Sequence, residues 1–335
     1  MATEYKPRKP AWSLRRKLLL IALPLVLVIG LALGLGLGLT LGRDHNDDDS
    51  DGDNNGPEPP STTSPPPSPP PTNGTAWKPA VNSTWQIVLQ GAISVPQDAK
   101  SVTPDVSIFD IDLFDTSKDT IDTLHRLGKK VICYFSAGTF EPRRPDSGQF
   151  KGQDIGKALQ DWPDEKWLRL GSEDVRRIMK GRVELAREKG CDGIDPDNVD
   201  GYQNDNGLDL TKDDSISFVS YLSNISAQHN LAMGLKNAGD IIPQVLDMVD
   251  FSVNEQCVQY AECGTFKPFI DAGKPVFHIE YPDNAGTELG TNTVLHYCGN
   301  DGDAEGREGF STVLKKMDLD GWVEFCDQKV AVTAT

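Results

Sequence analysis

Seven carboxylates lie on short apolar segments in the C-terminal part of the chain, mostly where those segments end. They are Asp110, Asp112, Asp195, Asp197, Glu255, Glu280 and Glu324. A carboxylate on an otherwise apolar strand is costly unless it is paired or used, so these residues are candidates for a functional site. Residues two apart on a strand point the same way, so Asp195 and Asp197 are expected to point together, with Asp197 nearer the strand end.

Two opposed carboxyl groups are what hydrolysis of a glycosidic bond requires. One protonates the leaving oxygen, and the other attacks the anomeric carbon or activates water. The sequence contains no GxSxG, no HExxH and no phosphate-cradling glycine loop, and we interpret His278 as a satisfied core residue. A metal site is the alternative at a group of acids that are close in sequence, but we predict neither a metal nor a cofactor. That group is Asp195, Asp197, Asp200 and Asp205.

Eight β-branched and aromatic segments alternate with helical ones after residue 80 and would position these acids. The predicted strands are 85–90, 106–114, 130–136, 193–198, 231–237, 251–256, 275–281 and 321–326. Ser117, Ser172 and Thr211 are predicted helix N-caps, with Asp214 completing a capping box and Gly190 ending the second helix. Eight strands alternating with helices predict an α/β (β/α)₈ TIM barrel, irregular at its start because no clear helix follows the first strand. The active site of such a barrel lies at the C-terminal ends of the strands.

A membrane anchor and a stalk are predicted before this domain. Residues 18–42 carry no charge and exceed the roughly 20 residues that span a bilayer. Basic residues precede this segment and aspartates follow it, so 1–17 is predicted to be a cytosolic tail. Residues 43–79 are acidic and then rich in Pro, Ser and Thr, which predicts a disordered stalk. Residues 80–335 would then form an extracellular domain of a type II protein in the plasma membrane or secretory pathway, with release by proteolysis as the alternative.

An extracellular domain would be glycosylated and oxidised. N-glycosylation sequons begin at Asn73, Asn82 and Asn224. The six cysteines allow 15 pairings, and we predict Cys257–Cys263 from proximity and Cys298–Cys326 at the last strand. A third bond, Cys133–Cys191, joins adjacent predicted strands, although alternation places the two side chains on opposite sides of the sheet.

Six segments resemble one enzyme family. They are FDIDLFDT (109–116), KKVICYFSAGTFEPRRPD (129–146), CDGIDPDNVDGYQNDNG (191–207), GLKNAG (234–239), VNEQC (253–257) and KPVFHIEY (274–281). Over residues 84–327 the chain is similar to glycoside hydrolase family 114, the endo-α-1,4-polygalactosaminidases. The resemblance implies a (β/α)₈ barrel that cleaves α-1,4-linked galactosamine, with Asp197 as nucleophile or base and Glu255 as acid/base. It also implies that Asp112, Asp195, Asn198, Tyr202 and Asn237 surround the sugar.

The charge of the chain suits a cationic substrate. The first 79 residues contribute no net charge, so the net charge of −17 belongs to residues 80–335. Such a domain would attract partly deacetylated, cationic galactosamine polymer and would repel nucleic acid, although solubility alone is an alternative explanation. Tyr134, Tyr202 and Tyr281 could stack on sugar rings.

Other functions stay open at this point. Family members often carry Trp where Arg143 stands, so substrate preference near that position is open. A catalytically silent carbohydrate-binding or wall-anchoring protein is one alternative function, and a glycosidase of another specificity is the other. We expect the catalytic domain to be monomeric.

Overall fold

The computed structural model describes residues 76–335. The predicted cytosolic tail (1–17), the predicted transmembrane segment (18–42), almost all of the predicted stalk (43–79) and Asn73 lie outside the described residues. Within residues 76–335, no helix has the length and apolar character needed to cross a membrane.

The described residues form an α/β arrangement. The strands are β1 (Trp85–Val88), β2 (Ile108–Asp112), β3 (Lys130–Ser136), β4 (Thr139–Phe140), β5 (Ile155–Ala158), β6 (Lys166–Leu168), β7 (Gly193–Asp197), β8 (Ala232–Lys236), β9 (Phe251–Glu255), β10 (Val276–Glu280), β11 (Ser311–Leu314), β12 (Trp322–Phe325) and β13 (Val330–Val332). The α-helices are α1 (Lys118–Arg126), α2 (Glu173–Lys189), α3 (Lys212–Gln228), α4 (Ile242–Val245), α5 (Lys267–Asp271) and α6 (Thr291–Cys298). Short 3₁₀ turns occupy Ser147–Gln149, Gly152–Asp154, Gly201–Gln203, Gly239–Ile241, Leu246–Met248, Cys263–Phe266 and Gly302–Ala304.

The three longer helices begin at the predicted caps. Ser117 caps α1 by accepting from the backbone N–H of residue 120, and Ser172 caps α2. Thr211 and Asp214 form the predicted capping box of α3, and Gly190 ends α2 with a left-handed backbone (φ 96°). These local signals confirm the predicted starts because each cap satisfies backbone groups that the helix itself leaves free.

Ten strands form one curled sheet in the order β1-β2-β3-β7-β8-β9-β10-β11-β12-β13. The first eight pair in parallel, each with the next, and the last two are antiparallel. The curl brings the two ends of the parallel set together. The indole N–H of Trp85 donates to the carbonyl of Ser311 at 2.7 Å, and the N–H of Leu89 donates to the carbonyl of Leu319 at 2.9 Å. A parallel sheet that curls in this way agrees with the α/β fold class predicted from the sequence.

All eight predicted segments contain strands, but the last of them is not the eighth parallel strand. The eighth parallel strand is β11, whereas the predicted segment 321–326 contains β12, which pairs antiparallel with β11. β11 is short and runs into Lys315, a residue type that usually ends a buried segment. Here Lys315 is fully buried, because its Nζ donates to the side-chain oxygen of Gln86 at 3.1 Å and to the carbonyl of Asp320 at 2.7 Å.

Apolar side chains pack on both faces of the sheet. One cluster lies inside the curl, where the ring of Phe277 is 5.0 Å from that of Trp85 and 5.5 Å from that of Phe251. A larger cluster lies between the sheet and the helices. Alternation therefore decides which strand residues point into the curl, and on β9 those are Phe251, Val253 and Glu255.

All three predicted disulfides are present: Cys133–Cys191, Cys257–Cys263 and Cys298–Cys326. The first forms despite the alternation argument because Cys191 precedes β7 rather than lying within it. Its direction is therefore set by the turn after α2 and not by the pleat of a strand.

A small sheet interrupts the alternation between β3 and α2. It has the order β4-β6-β5 and is antiparallel. The sequence analysis does not predict these three strands. They follow the C-terminal end of β3, so they add a wall on the side of the sheet where the predicted acids end.

Candidate active site

Polar side chains from neighbouring parallel strands meet at the C-terminal ends of those strands. The register pairs Asp112 of β2 with Tyr134 of β3, and Ser136 of β3 with Asp197 of β7. Lys236 ends β8 and Glu255 ends β9. The parallel register therefore brings residues that are far apart in sequence to one edge of the curl.

A buried lysine joins the predicted catalytic pair. The side chain of Lys236 is 2% exposed, and its Nζ lies 3.6 Å from Oδ2 of Asp197, 3.5 Å from Oε2 of Glu255 and 3.7 Å from Oδ2 of Asp195. Burial alone would lower the pKa of Lys236, but the surrounding carboxylates, Asp197 first, hold it well above its usual value. Lys236 is therefore a cation shared by three acids.

Each member of the pair is also held by a tyrosine. The hydroxyl of Tyr134 donates to Oδ2 of Asp197 at 2.8 Å, and the hydroxyl of Tyr281 donates to Oε1 of Glu255. The amide of Asn237 donates to Oε2 of Glu255 at 2.9 Å. Oδ2 of Asp197 and Oε2 of Glu255 lie 3.6 Å and 3.5 Å from the same Nζ atom of Lys236, so these two oxygens are at most about 7 Å apart. That bound fits a pair acting across one glycosidic bond.

The carboxylate of Glu255 is ionised in this arrangement. Burial raises the pKa of Glu255, but Lys236, Tyr281 and Asn237 together lower it below its usual value. Burial and the facing carboxylates raise the pKa values of Tyr134 and Tyr281 well above the usual range. Both tyrosines therefore stay protonated and remain donors at neutral pH.

Three residues that follow the strand ends have left-handed backbones. Asn198 (φ 61°), Asn237 (φ 46°) and Gln256 (φ 63°) directly follow Asp197, Lys236 and Glu255. Non-glycine residues adopt this conformation infrequently, and it is often found at functional sites. The backbone N–H of Asn198 donates to Oδ1 of Asp197 at 2.7 Å, so the local turn helps to orient that carboxylate.

Asp195 and Asp110 lie beneath the pair and do not reach the cleft. Both side chains are fully buried, and none of their four oxygens has a hydrogen-bond partner within residues 76–335. Burial raises the pKa of Asp195 to about 7 and that of Asp110 well above its usual value. The prediction that these two acids contact sugar is wrong, because both are buried and neither lines the cleft. Asp195 instead pairs with Lys236.

Glu280 is also predicted to bind the substrate, and this prediction is wrong. It is fully buried and accepts from the N–H of Val258 at 2.7 Å and lies 2.9 Å from Nε2 of His278. His278 is the satisfied core residue predicted, with Nδ1 2.9 Å from the hydroxyl of Thr312. The physical reason is alternation, because Ile279 and Tyr281 point into the curl and Glu280 points away from it.

Glu324 and Tyr202 lie away from the cleft as well. Glu324 is fully buried on the antiparallel strand β12 and accepts from the N–H of Leu289 at 2.8 Å. Tyr202 accepts from the side chain of Gln203 at 3.0 Å and lines neither cavity described below. Neither side chain is placed to contact a substrate at the pair.

Asp112 lines the cleft, but its carboxylate is already engaged. Arg144 donates to both of its oxygens, at 3.0 Å and 2.7 Å, and also to Glu141 at 2.8 Å. Burial raises the pKa of Glu141 to about 7 against the opposing effect of Arg144. Arg143 is exposed on the same wall and forms no ion pair within the described range. Asp112 thus positions Arg144, and Arg143 is the cation left free for a ligand.

Two adjoining cavities form the cleft, with volumes of about 840 Å³ and about 760 Å³. The predicted residues that line the first are Asp112, Tyr134, Asp197, Asn198, Asn237, Glu255 and Tyr281. Asn237, Glu255 and Tyr281 also line the second, as does Asp200. Burial and Asp197 raise the pKa of Asp200 to about 6. The cleft therefore continues in two directions from Glu255.

The alternative metal site is not assembled. Within residues 76–335, the one group of His, Cys, Asp or Glu side chains close enough to share an ion is Cys257, Cys263 and His278. The two cysteines are joined to each other, so no thiolate is available there. Asp205, part of the predicted alternative, instead pairs with Lys157 at 2.8 Å.

Comparison with known proteins places the chain in a family. The sequence model of glycoside-hydrolase family GH114 matches residues 66–331. The chain belongs to this family. The GH114 assignment makes it a glycoside hydrolase, as the resemblance implied. No curated protein sequence matches the chain significantly.

Two solved structures extend the comparison of this GH114 chain. The crystal structure of Aspergillus fumigatus Ega3 in complex with galactosamine is 52% identical, covering 76% of this chain and 99% of that chain with a TM-score of 0.70. The glycoside hydrolase domain of PelA from Pseudomonas aeruginosa is 13% identical, covering 76% of this chain and 99% of that chain with a TM-score of 0.53. The second similarity concerns the fold alone.

Proposed function

We propose that this GH114 chain is an endo-acting hydrolase of α-1,4-linked galactosamine in cationic, partly deacetylated polysaccharide. The observation that carries the proposal is that Asp197 and Glu255 share Lys236 where two cavities meet. A cleft that extends from Glu255 into two cavities accepts the interior of a polymer, whereas a closed end would select a chain terminus. The 52% identity to Ega3, which was crystallised with galactosamine, supports the sugar.

We propose that Asp197 attacks the anomeric carbon or activates water and that Glu255 is the acid/base. The pKa of Glu255 lies below its usual value, and its side chain is 23% exposed to water. A bound sugar removes that remaining water, and loss of water raises the pKa of a carboxyl group. Substrate binding thereby supplies the proton donor that protonation of the leaving oxygen requires.

The charges of the cleft support a cationic substrate. Apart from Asp197 and Glu255, the acids of the cleft include Asp161 and Asp200, which line both cavities, and Glu262, which lines the second. The residues that line the second cavity include no Lys or Arg. Opposite charge in a cleft raises the local concentration of a ligand, so hydrolysis should slow as ionic strength rises.

Product analysis tests the proposal. The full chain is incubated with partly deacetylated α-1,4-galactosamine polymer beside Asp197→Asn, Glu255→Gln and, as a matched control, Asp213→Asn on the exposed surface of α3. Mass spectrometry should find a ladder of oligosaccharides from the wild type and the control only. Monosaccharide alone would indicate exo action, and polymer retained without products would indicate a binding protein.

We also propose that the catalytic domain is extracellular, held by residues 18–42 as a type II anchor. Three disulfides in residues 76–335 support this location, because such bonds persist in oxidising compartments. Asn82 and Asn224 are exposed and available for glycosylation. Glycosidase digestion should shift the mobility of the wild-type chain, and a chain carrying Asn82→Gln and Asn224→Gln should shift less. An unshifted wild-type chain would place the domain in the cytosol.

We further propose that the curled sheet closes into a (β/α)₈ barrel. The hydrogen bond from Trp85 to Ser311 supports closure between β1 and β11. The monomeric state predicted for the catalytic domain is part of the same proposal, and light scattering of the purified chain measures it.

A further inference from the structure

Three large apolar side chains stay exposed along the cleft. Trp162 is 52% exposed, Met317 is 54% exposed and Tyr260 is 61% exposed. All three line the second cavity, and Trp162 and Met317 also line the first. Exposed apolar groups of this size, gathered at a cavity, are typical of a binding surface.

Trp162 lies on a hairpin whose two arms are joined by backbone hydrogen bonds. The tip between β5 and β6 is closed by hydrogen bonds from the N–H of Leu159 to the carbonyl of Glu165 at 3.0 Å and from the N–H of Glu165 to the carbonyl of Trp162 at 2.9 Å. The carboxylate of Glu165 also accepts from the hydroxyl of Thr139 at 2.7 Å. The indole ring forms no hydrogen bond within residues 76–335, so its N–H and its face are available to a ligand.

Met317 comes from a different part of the sheet. It lies in the turn between β11 and β12, which is closed by a hydrogen bond from the N–H of Leu319 to the carbonyl of Lys316 at 3.0 Å. Because Trp162, Met317, Glu255 and Tyr281 all line both cavities, they surround the place where the cavities meet. A polymer that occupies both cavities must pass this place.

The chemistry of these side chains suits an amino sugar. A pyranose ring has an apolar face of C–H groups that packs on an aromatic ring, and an ammonium group is attracted to the face of Trp more than to that of Tyr or Phe. Asp161, the neighbour of Trp162, lines both cavities and adds a negative charge for the same ammonium group. A thioether such as Met317 adapts its shape to an irregular surface.

We propose that Trp162 and Met317 are positioning residues that hold the substrate chain over Asp197 and Glu255 from two separate segments of the cleft wall. Trp162 stacks on the sugar that crosses between the cavities. Tyr260, which lines only the second cavity, holds a more distant sugar. The identity of the sugar rests on the proposed function, but the positions of the three side chains do not.

The test measures kcat and KM for the full chain on α-1,4-galactosamine tetrasaccharide and octasaccharide. Trp162→Ala should raise KM about tenfold on both, equivalent to about 1.4 kcal/mol, and Met317→Ala about threefold. Trp162→Phe should recover most of the loss, since it keeps an aromatic face. Tyr260→Ala should raise KM for the octasaccharide only. Leu295→Ala is the matched control, because Leu295 is 61% exposed on α6 and lines neither cavity.

Equal KM values for Trp162→Ala and Leu295→Ala would overturn the proposal. So would a KM for Trp162→Phe as poor as that for Trp162→Ala, because removal of the ring would then not be the cause. Binding of the octasaccharide to Glu255→Gln, with and without Trp162→Ala, separates this inference from the proposed function. Binding that Trp162→Ala leaves unchanged refutes the positioning role alone, and absence of both binding and hydrolysis refutes both proposals.

Discussion

Replacement of Lys236 by Met removes the cation between the two carboxylates while keeping a chain of similar length. Unit charges 3.5 Å apart, the distance from Nζ to Glu255, attract each other by about 4.7 kcal/mol at an effective dielectric constant of about 20. Tyr281 and Asn237 still donate to Glu255 in the variant, so these hydrogen bonds offset part of that loss.

The direction of the change is set by the charge that is lost. Lys236 lowers the pKa of Glu255, so its removal raises that pKa. The profile of kcat/KM against pH should therefore move to higher pH. The measurement is hydrolysis of partly deacetylated galactosamine polymer between pH 4 and pH 9 in buffers of constant ionic strength.

Lys315→Met is the matched control, because Lys315 is also a fully buried lysine but lines neither cavity. Both variants should melt at lower temperature than the wild type, since Lys236 pairs with three carboxylates and Lys315 donates two buried hydrogen bonds. Only Lys236→Met should move the pH profile. A cooperatively folded Lys236→Met protein whose profile coincides with that of the wild type would refute the reasoning.

Three further predictions concern the walls of the cleft. Tyr281→Phe removes a hydrogen bond that lowers the pKa of Glu255. We expect kcat to fall about tenfold and the pH profile to move to higher pH by less than in Lys236→Met. An unchanged kcat would contradict the role of the hydroxyl. Gly138→Ala would place a Cβ atom 1.7 Å from the carbonyl oxygen of Asn198. Thermal denaturation should therefore show that the free energy of unfolding falls by several kcal/mol. A melting temperature equal to that of the wild type would count against this close packing. Arg143→Gln removes an exposed cation from the first cavity. Initial rates of hydrolysis should therefore rise about two- to fivefold on fully deacetylated polymer and should not rise on a highly acetylated polymer. Equal increases on both polymers would exclude charge repulsion as the cause.

Much of the fold follows from local sequence signals. Caps at Ser117, Ser172 and Thr211 and apolar strand segments specify elements that form from near neighbours. The inserted sheet β4-β6-β5 could not be found in this way, because its strands are two to four residues long and exist only through pairing with each other. β11 was missed for a related reason, since the burial of Lys315 depends on partners distant in sequence.

The positions of Asp197 and Glu255 at the strand ends were predicted more accurately than their surroundings. Alternation placed Asp195 and Asp197 on one side correctly, but strand-end position alone was used for Glu280 and Glu324, which face away from the curl. Neighbouring residues on a strand point to opposite faces, so the inward direction of Tyr281 implies that Glu280 points away from the site. The same count along β8, through the small residues at 232 and 234, points Lys236 into the curl, so its role carried a signal that was not used.

The bond between Cys133 and Cys191 closes a covalent ring around the inserted sheet and α2, with 58 positions separating its ends. Exposed loop tips such as the one that carries Trp162 are preferred sites of proteolytic cleavage. A single cut anywhere inside this ring leaves one covalent molecule, in which the strand that bears Tyr134 remains attached to the strand that bears Asp197. A protease can thus cut the cleft wall without releasing a fragment.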